Sequence, residues 1–238
     1  MDLKETLLSS YLAFDAQDGP QHKLQDQRAA AIDVFEQQGF PTKKEEDWKY
    51  TPLRNLIKTN YSVFPKEEVS LKLDEVKEYI LQDVDTYKIV FVDGIYNAYL
   101  SETTHVGVDV CLLSAALTKP KYADTIKKYF NQIAAKDASL TALNTAFTKE
   151  GAYIHVPEGK LVEKPVQIIH FTTDINPSLL LQPRNLIVVE KNAEIQIVER
   201  HQSLTTNESF TNVVTEIFTE QNAQLDYYKI QNDQTTAS

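Results

Sequence analysis

An internal repeat in the last third of the chain restricts the possible folds more than any other feature of the sequence. The segment 188–200 aligns with 218–230, which places Asn192-Ala193 opposite Asn222-Ala223. The segment 166–170 aligns with 195–199. All of these segments are rich in β-branched and aromatic residues, which favour strands. Repeated units of about 30 residues that contain only strands predict the stacked turns of a parallel β-helix.

The segment 231–238 does not have the properties of a cap for such a stack. Each turn of a solenoid is covered by a neighbouring turn or by a cap, and an uncovered strand edge promotes aggregation. The sequence QNDQTTAS is short and polar. We therefore expect this chain to be the first part of a larger protein, with the stack truncated at its C-terminal end.

The first 150 residues have a different pattern, in which apolar side chains recur at the spacing of helices. Gly39 lies where a helix C-cap belongs, and Asp93-Gly94 between two strand-like runs predicts a β-hairpin near 87–100. We expect an α+β fold class, with a mostly helical N-terminal domain at 1–150 and the start of a parallel β-helix at 151–238. The predicted helical stretches are 24–35, 69–80, 122–133 and 140–147.

The composition narrows the class of protein. Of the 238 residues, 42% are hydrophobic and 24% are charged, which is ordinary for a globular protein. The net charge of −10 disfavours nucleic acid as a partner, because binding to phosphates needs a basic face. The sequence has no run of 18 apolar residues, so we expect no membrane partner. A single cysteine and an acidic N-terminus without a signal peptide favour a cytoplasmic location.

Three stretches are similar to one known family. They are GFPTKKEEDWKYTPL at 39–53, LNTAFTKEGAYIHVPEGKLVEKPVQIIHF at 143–171 and PRNLIVVEKNAEIQIVERH at 183–201. Together they resemble the SufB/SufD family of iron–sulfur cluster assembly proteins, and the SufD members more than the SufB members. The resemblance runs from about residue 20 to the end of the chain. It implies a helical N-terminal domain, a right-handed parallel β-helix core and a helical C-terminal domain.

The same resemblance implies a non-enzymatic scaffold subunit of a SufBCD complex. A SufB-like subunit would pair with the β-helix, and a SufC-like ATPase would dock on the C-terminal region, which the resemblance places beyond Ser238. We expect no cofactor on this chain alone, because the iron–sulfur cluster belongs to the full assembly. The functional cysteines and histidines of the family also lie beyond Ser238. We therefore assign no catalytic, cofactor-binding or metal-binding residue.

Three features of the sequence have both a functional and a structural interpretation. In the repeat alignment His170, Glu199 and Lys229 share a column, and strands of adjacent turns lie about 4.8 Å apart. This column is either a weak metal site or, as we favour, a solvated face with charge pairs between strands. We interpret Cys111 as a small buried residue of a strand. Trp48 either docks a partner or anchors the small N-terminal helices, and we favour the anchor.

The alternative function is that of a carbohydrate-active β-helix enzyme or a carbohydrate-binding β-solenoid. Such enzymes need paired carboxylates or an acidic calcium site on one face of the solenoid. The acidic residues of the strand-rich region are scattered, and the six glycines do not have the spacing of a phosphate-binding loop. The scaffold is therefore the favoured function.

Overall fold

The computed structural model describes residues 2–18, 24–63, 65, 67–81, 83–103 and 107–234. From Ala152 onward these residues form only strands and their connections, as the sequence predicts. The α-helices are α1 (Leu3–Asp18), α2 (Gln25–Gln38), α3 (Leu73–Val76), α4 (Leu113–Thr118), α5 (Ala123–Tyr129) and α6 (Ser139–Ala146). Short 3-10 helices lie at Glu46–Trp48, Leu56–Lys58, Lys77–Tyr79 and Pro120–Tyr122.

The predicted helices differ in how well they match the structure. The prediction for 24–35 is confirmed by α2, which ends before Gly39 at a φ of 66°, where glycine is favoured. The helix predicted for 140–147 is also confirmed, by α6. The stretches 69–80 and 122–133 form shorter helices than predicted, and Ile133 is exposed. The sequence analysis did not predict α1.

The described strands belong to three sheets. They are β1 (Tyr87–Val92), β2 (Ile95–Tyr96), β3 (Asp109–Leu112), β4 (Ala152–Val156), β5 (Val166–Thr172), β6 (Leu180–Leu181), β7 (Arg184–Val189), β8 (Glu194–Ser203), β9 (Phe210–Thr211), β10 (Val214–Thr219) and β11 (Gln224–Asn232). The first sheet has the order β11-β8-β5-β1-β2, and the second has the order β10-β7-β4-β3. The third sheet contains β6 and β9.

From β4 onward the chain visits the three sheets in a fixed rotation. It passes from the second sheet to the first, then to the third, and then returns to the second. Successive visits to one sheet give parallel neighbours, so that Val188 in β7 lies opposite Phe218 in β10, and Ile195 in β8 lies opposite Leu225 in β11. The alignment of 188–200 with 218–230 that the sequence predicts is therefore confirmed.

The turn at Asp93-Gly94 forms the predicted hairpin. Val92 lies opposite Ile95, and Asp93 and Gly94 have φ values of 49° and 79°, as a type I′ turn requires. The hairpin also joins the repeat region, because β1 pairs in parallel with β5. Strands from both sides of residue 150 therefore share sheets, and the division of the chain into domains at that residue stays a prediction.

The core consists of apolar side chains on both faces of the two large sheets. Ile168, Ile187 and Ile197 belong to a cluster between the first and second sheets. The outer face of the second sheet packs against α4 and α5, and that of the first packs against the segment around Val76 and Ile80. A separate cluster joins α1, α2 and α6 to the third sheet. The helical part of the chain therefore covers the stacked strands.

Candidate functional site

The inward-facing side chains of the parallel strands change from apolar to polar along each strand. In β8 the residues on the inner face are Ile195, Ile197, Glu199 and His201, because side chains alternate between the two faces of a strand. Neighbouring strands show the same change, at His170 in β5, at Lys229 in β11 and at Asp93 just after β1. One end of the space between the sheets is therefore polar.

Glu199 is the centre of this polar end and is fully buried. His201 Nε2 lies 2.6 Å from one carboxylate oxygen, and Lys229 Nζ lies 3.3 Å from the same oxygen. The Tyr227 hydroxyl donates to the second oxygen, and Asn185 Nδ2 lies 3.5 Å from it. Burial alone would raise the pKa of Glu199, but the hydrogen bonds with His201 and Tyr227 help to lower it to about 2. The carboxylate is therefore charged at neutral pH.

His170 belongs to a stack of three rings inside the fold. Its ring lies 5.0 Å from that of Phe91 and 4.6 Å from that of His201, with interplanar angles of 10° and 8°. Burial, and then the neighbouring His201, lowers the pKa of His170 to about 3, so the ring is neutral at physiological pH. Among the described residues, its buried Nε2 atom has no hydrogen-bond partner.

The predicted column of His170, Glu199 and Lys229 is wrong in one member. Lys229 pairs with Glu199 as predicted, but His170 lies opposite His201, because the register of β5 on β8 differs by two positions from the predicted one. A shift of two positions keeps each side chain on the same face of its strand, so the alternation of apolar residues fits both registers. The favoured interpretation of a solvated face is also wrong, since His170 and Glu199 are buried.

The described residues include no group of three His, Cys, Asp or Glu side chains that could hold a metal ion. Glu199 instead has a cationic lysine and a tyrosine within hydrogen-bonding distance, and burial raises the pKa of that Tyr227 hydroxyl above its usual value. The arrangement is a charge cluster in which Glu199 and His201 are buried and Lys229 is exposed, with the proton held on the tyrosine.

A second buried ion pair lies on the outer face of the second sheet. Arg184 and Glu216 are 2.8 Å apart and are both almost completely buried. Glu216 also accepts hydrogen bonds from the backbone N–H groups of residues 131–134, at 2.7 to 3.2 Å. This network fixes the segment after α5 on the sheet. The sequence analysis did not predict this ion pair. Val214 lies opposite Arg184 in the neighbouring strand, and Glu216 is two positions after Val214 on the same face of that strand.

Two further residues with metal-binding side chains, Cys111 and His155, lie in the second sheet, apart from the polar end. Cys111 is half-buried in β3, and burial raises the pKa of its thiol, so it is a poor metal ligand at neutral pH. His155 in β4 lies between two carboxylates, with Nδ1 3.4 Å from Asp109 and Nε2 3.0 Å from Glu190. The two carboxylates lie at different nitrogens of the ring. One metal ion bound to a single ring nitrogen therefore cannot contact both carboxylates.

Trp48 is half-buried in the 3-10 helix Glu46–Trp48. The Thr42 backbone N–H donates to Glu45 Oε1 at 2.8 Å, which is one of the two hydrogen bonds of a capping box. Trp48 is absent from the four buried clusters of the described residues, whereas Tyr50 is 86% exposed. Both the docking interpretation and the anchor interpretation of Trp48 stay predictions.

Comparison with known families identifies the class to which this fold belongs. Residues 13–168 match the family model of the SufBD protein N-terminal region. Residues 170–238 match the model of the SufBD core domain of the SUF system for FeS cluster assembly. The first model alone covers more than half of the chain, so the chain belongs to the SufBD family.

Individual relatives show how much of a family member the chain represents. It is 26% identical over 219 residues to an iron–sulfur cluster assembly SufBD family protein of Synechocystis, covering 88% of this chain and 48% of that protein. It is 26% identical over 195 residues to the iron–sulfur cluster assembly protein SufD of Escherichia coli, covering 81% of this chain and 42% of that protein. It is 28% identical over 195 residues to the iron–sulfur cluster assembly protein SufD of Bacillus subtilis, covering 79% of this chain and 43% of that protein. The chain spans about half the length of these curated relatives.

Among the described residues, no helix is long and apolar enough to cross a membrane.

Proposed function

We propose that this chain acts as a SufD-like scaffold in iron–sulfur cluster assembly and catalyses no reaction by itself. The observation that carries the proposal is the match of two consecutive SufBD family models along the chain. The names of the relatives support it, since two of them are SufD assembly proteins. The buried residues Glu199 and Glu216 fit a structural role, because both carboxylates are occupied by neighbouring cations and donors.

The fold that we propose for the scaffold is a right-handed parallel β-helix. The fixed rotation of the chain through three sheets supports it, as does the in-register parallel pairing of β5 with β8 and of β8 with β11. A stack of this kind would offer its strands to a second protein of the same architecture. We therefore propose a SufB-like subunit and a SufC-like ATPase as partners, in the cytoplasm.

Copurification tests the proposal. The full-length protein, tagged and isolated from its own cells under mild conditions, should bring down a SufB-like and a SufC-like subunit in fixed proportion. Deletion of its gene should lower the activity of iron–sulfur enzymes such as aconitase, and the wild-type gene should restore it. Isolation as a monomer, together with unchanged aconitase activity in the deletion strain, would contradict the proposal. Cleavage of a polysaccharide by the purified protein would instead favour the carbohydrate-active alternative.

A further inference from the structure

A cavity of about 510 Å³ lies between the N-terminal helices and the polar end of the stacked strands. Its walls come from α1, the hairpin of β1 and β2, the end of α6, His170 in β5, and β6 with the residues that follow it. The volume is within the range of roughly 300–1,000 Å³ that is typical of small-molecule sites. The cavity shares His170 with the polar end described above.

Most of the cavity wall is apolar. The side chains of Phe91, Phe147 and Leu181 are buried, and Ile95 is half-buried in the short strand β2. An empty cavity with such walls forgoes dispersion contacts that an apolar occupant would restore. A ligand with a mainly hydrocarbon surface therefore fits this wall better than a sugar or a nucleotide does.

The wall includes the charged residues Asp93, Glu150 and Lys149, and both carboxylates are already engaged by the protein. Asp93 accepts hydrogen bonds from the backbone and hydroxyl of Thr173, at 2.8 and 2.7 Å. Glu150 accepts a hydrogen bond from the hydroxyl of Ser114 at 2.7 Å and one from the Gly151 backbone at 3.0 Å. An anionic ligand in the cavity would lie close to both carboxylates, and like charges repel in a medium of low polarity. Lys149 offsets only one of the two carboxylates, so the wall keeps a net negative charge and disfavours an anionic ligand.

Two polar residues of the wall have unused hydrogen-bonding capacity. Among the described residues, the buried nitrogens His170 Nε2 and Gln182 Nε2 have no partner. The Gln182 side-chain oxygen is occupied, because Asn212 Nδ2 donates to it at 2.7 Å, so the unused group of Gln182 is a donor. A buried donor without a partner is unfavourable, and a ligand oxygen that accepts from it would remove that penalty.

We propose that this cavity binds a small, neutral, mainly apolar molecule that carries a hydrogen-bond acceptor such as a carbonyl oxygen. The walls select the apolar body, the engaged carboxylates select against negative charge, and the Gln182 amide selects the acceptor. The proposal does not rest on the scaffold role, because every residue of the wall belongs to this chain.

Titration with the fluorophore prodan, a neutral naphthalene with one carbonyl group, tests the site. The full chain should bind it with saturation at one molecule per chain and a blue shift of its emission. The same chromophore without the carbonyl, 2-dimethylaminonaphthalene, should bind at least fivefold more weakly. The anionic dye 1-anilinonaphthalene-8-sulfonate should bind at least tenfold more weakly than prodan. Equal affinity for all three dyes, or no saturable binding of prodan, would overturn the proposal.

Substitutions at the wall locate the bound probe. Ile95→Trp should weaken prodan binding at least tenfold by filling the cavity, and Leu181→Phe provides a second filling variant if the first lowers Tm. Leu161→Trp is the matched control, because Leu161 is 61% exposed and is not among the residues of the wall, and it should leave the affinity unchanged. Prodan should also shift the NMR signals of the His170 ring. Unchanged affinity in a filling variant with native Tm would place the probe elsewhere and refute the proposed site.

Discussion

Replacement of His170 by phenylalanine should remove most of the acid sensitivity of this fold between pH 7 and pH 5. The pKa of His170 is lowered by burial to about 3, whereas an unfolded chain holds histidine near its ordinary value of about 6.5. As the pH falls below 6.5, the unfolded state therefore takes up a proton that the folded state does not. The free energy of unfolding falls with it, and the loss from this one residue is about 2 kcal/mol between pH 7 and pH 5.

Phenylalanine suits this position for reasons that are visible in the ring stack. Phe91 lies in the same column one strand away, and its ring is nearly parallel to that of His170. Among the described residues His170 Nε2 has no partner, so the substitution leaves no group that was bonded to it unsatisfied. We therefore expect His170→Phe to fold, and to be as stable as the wild type or more stable at pH 5.

Urea unfolding at pH 7, 6 and 5, followed by circular dichroism and by the fluorescence of Trp48, measures the effect. The control is Phe91→Leu, which disturbs the same stack without removing a titrating group and should lower the stability equally at each pH. The carboxylate of Glu199, which lies near His170, has its folded pKa at about 2 and therefore contributes mainly below this range. If His170→Phe retains the full pH dependence of the wild type, the buried neutral histidine is not its origin.

Three further predictions concern buried charges and close packing. Arg184→Met should lower the free energy of unfolding by about 3–5 kcal/mol, because Glu216 stays buried without its cation. Arg184→Lys keeps a cation and should lower the free energy of unfolding by less than half as much in the same urea assay. Gly151→Ala should prevent native folding, because its Cβ would overlap the Arg184 carbonyl oxygen. The control is Gly159→Ala, whose Cβ meets no atom within 4 Å and which should cost about 1 kcal/mol because of its positive φ. Thermal melts measure both effects. Glu199→Gln should abolish the loss of about 2.5 kcal/mol that Glu199 causes between pH 4.5 and pH 2. The folded pKa of Glu199 is depressed, so its stabilisation disappears as the pH falls through that value in an acid titration.

The features that the sequence predicted correctly are those with a local cause. Asn192 and Asn222 have φ values of 56° and 58°, in the left-handed region that asparagine tolerates, and their side chains are hydrogen-bonded to each other at 3.1 Å. Asp93-Gly94 forms its hairpin for a similar reason. In each case a few neighbouring residues determine the backbone, and the repeat brings equivalent positions together.

The features that the sequence did not predict depend on residues far apart in the chain. Tyr87 pairs with the distant Val166, and no local pattern in β1 indicates a parallel partner. The register of β5 on β8 depends on the length of the connections, while the alternation of side chains fits the predicted register equally well. The burial of His170 and Glu199 follows from that packing. The sequence therefore predicted the pairing of Glu199 with Lys229, but neither the position of His170 nor the burial of these side chains.

The polar end of the stacked strands is difficult to explain by stability alone. In β8 the inner face changes from Ile195 and Ile197 to Glu199 and His201, although Ile or Val would fill the same positions without any desolvation of charge. A buried ion pair is often no more stabilising than a well-packed apolar pair, and a neutral buried histidine makes the fold sensitive to acid. Departures from apolar packing inside a repeat are expected where a site has a role besides folding. His170 belongs to both the polar end and the cavity. It is therefore the most informative residue for testing such a role, because its protonation, its ring stacking and its response to a ligand can each be measured separately.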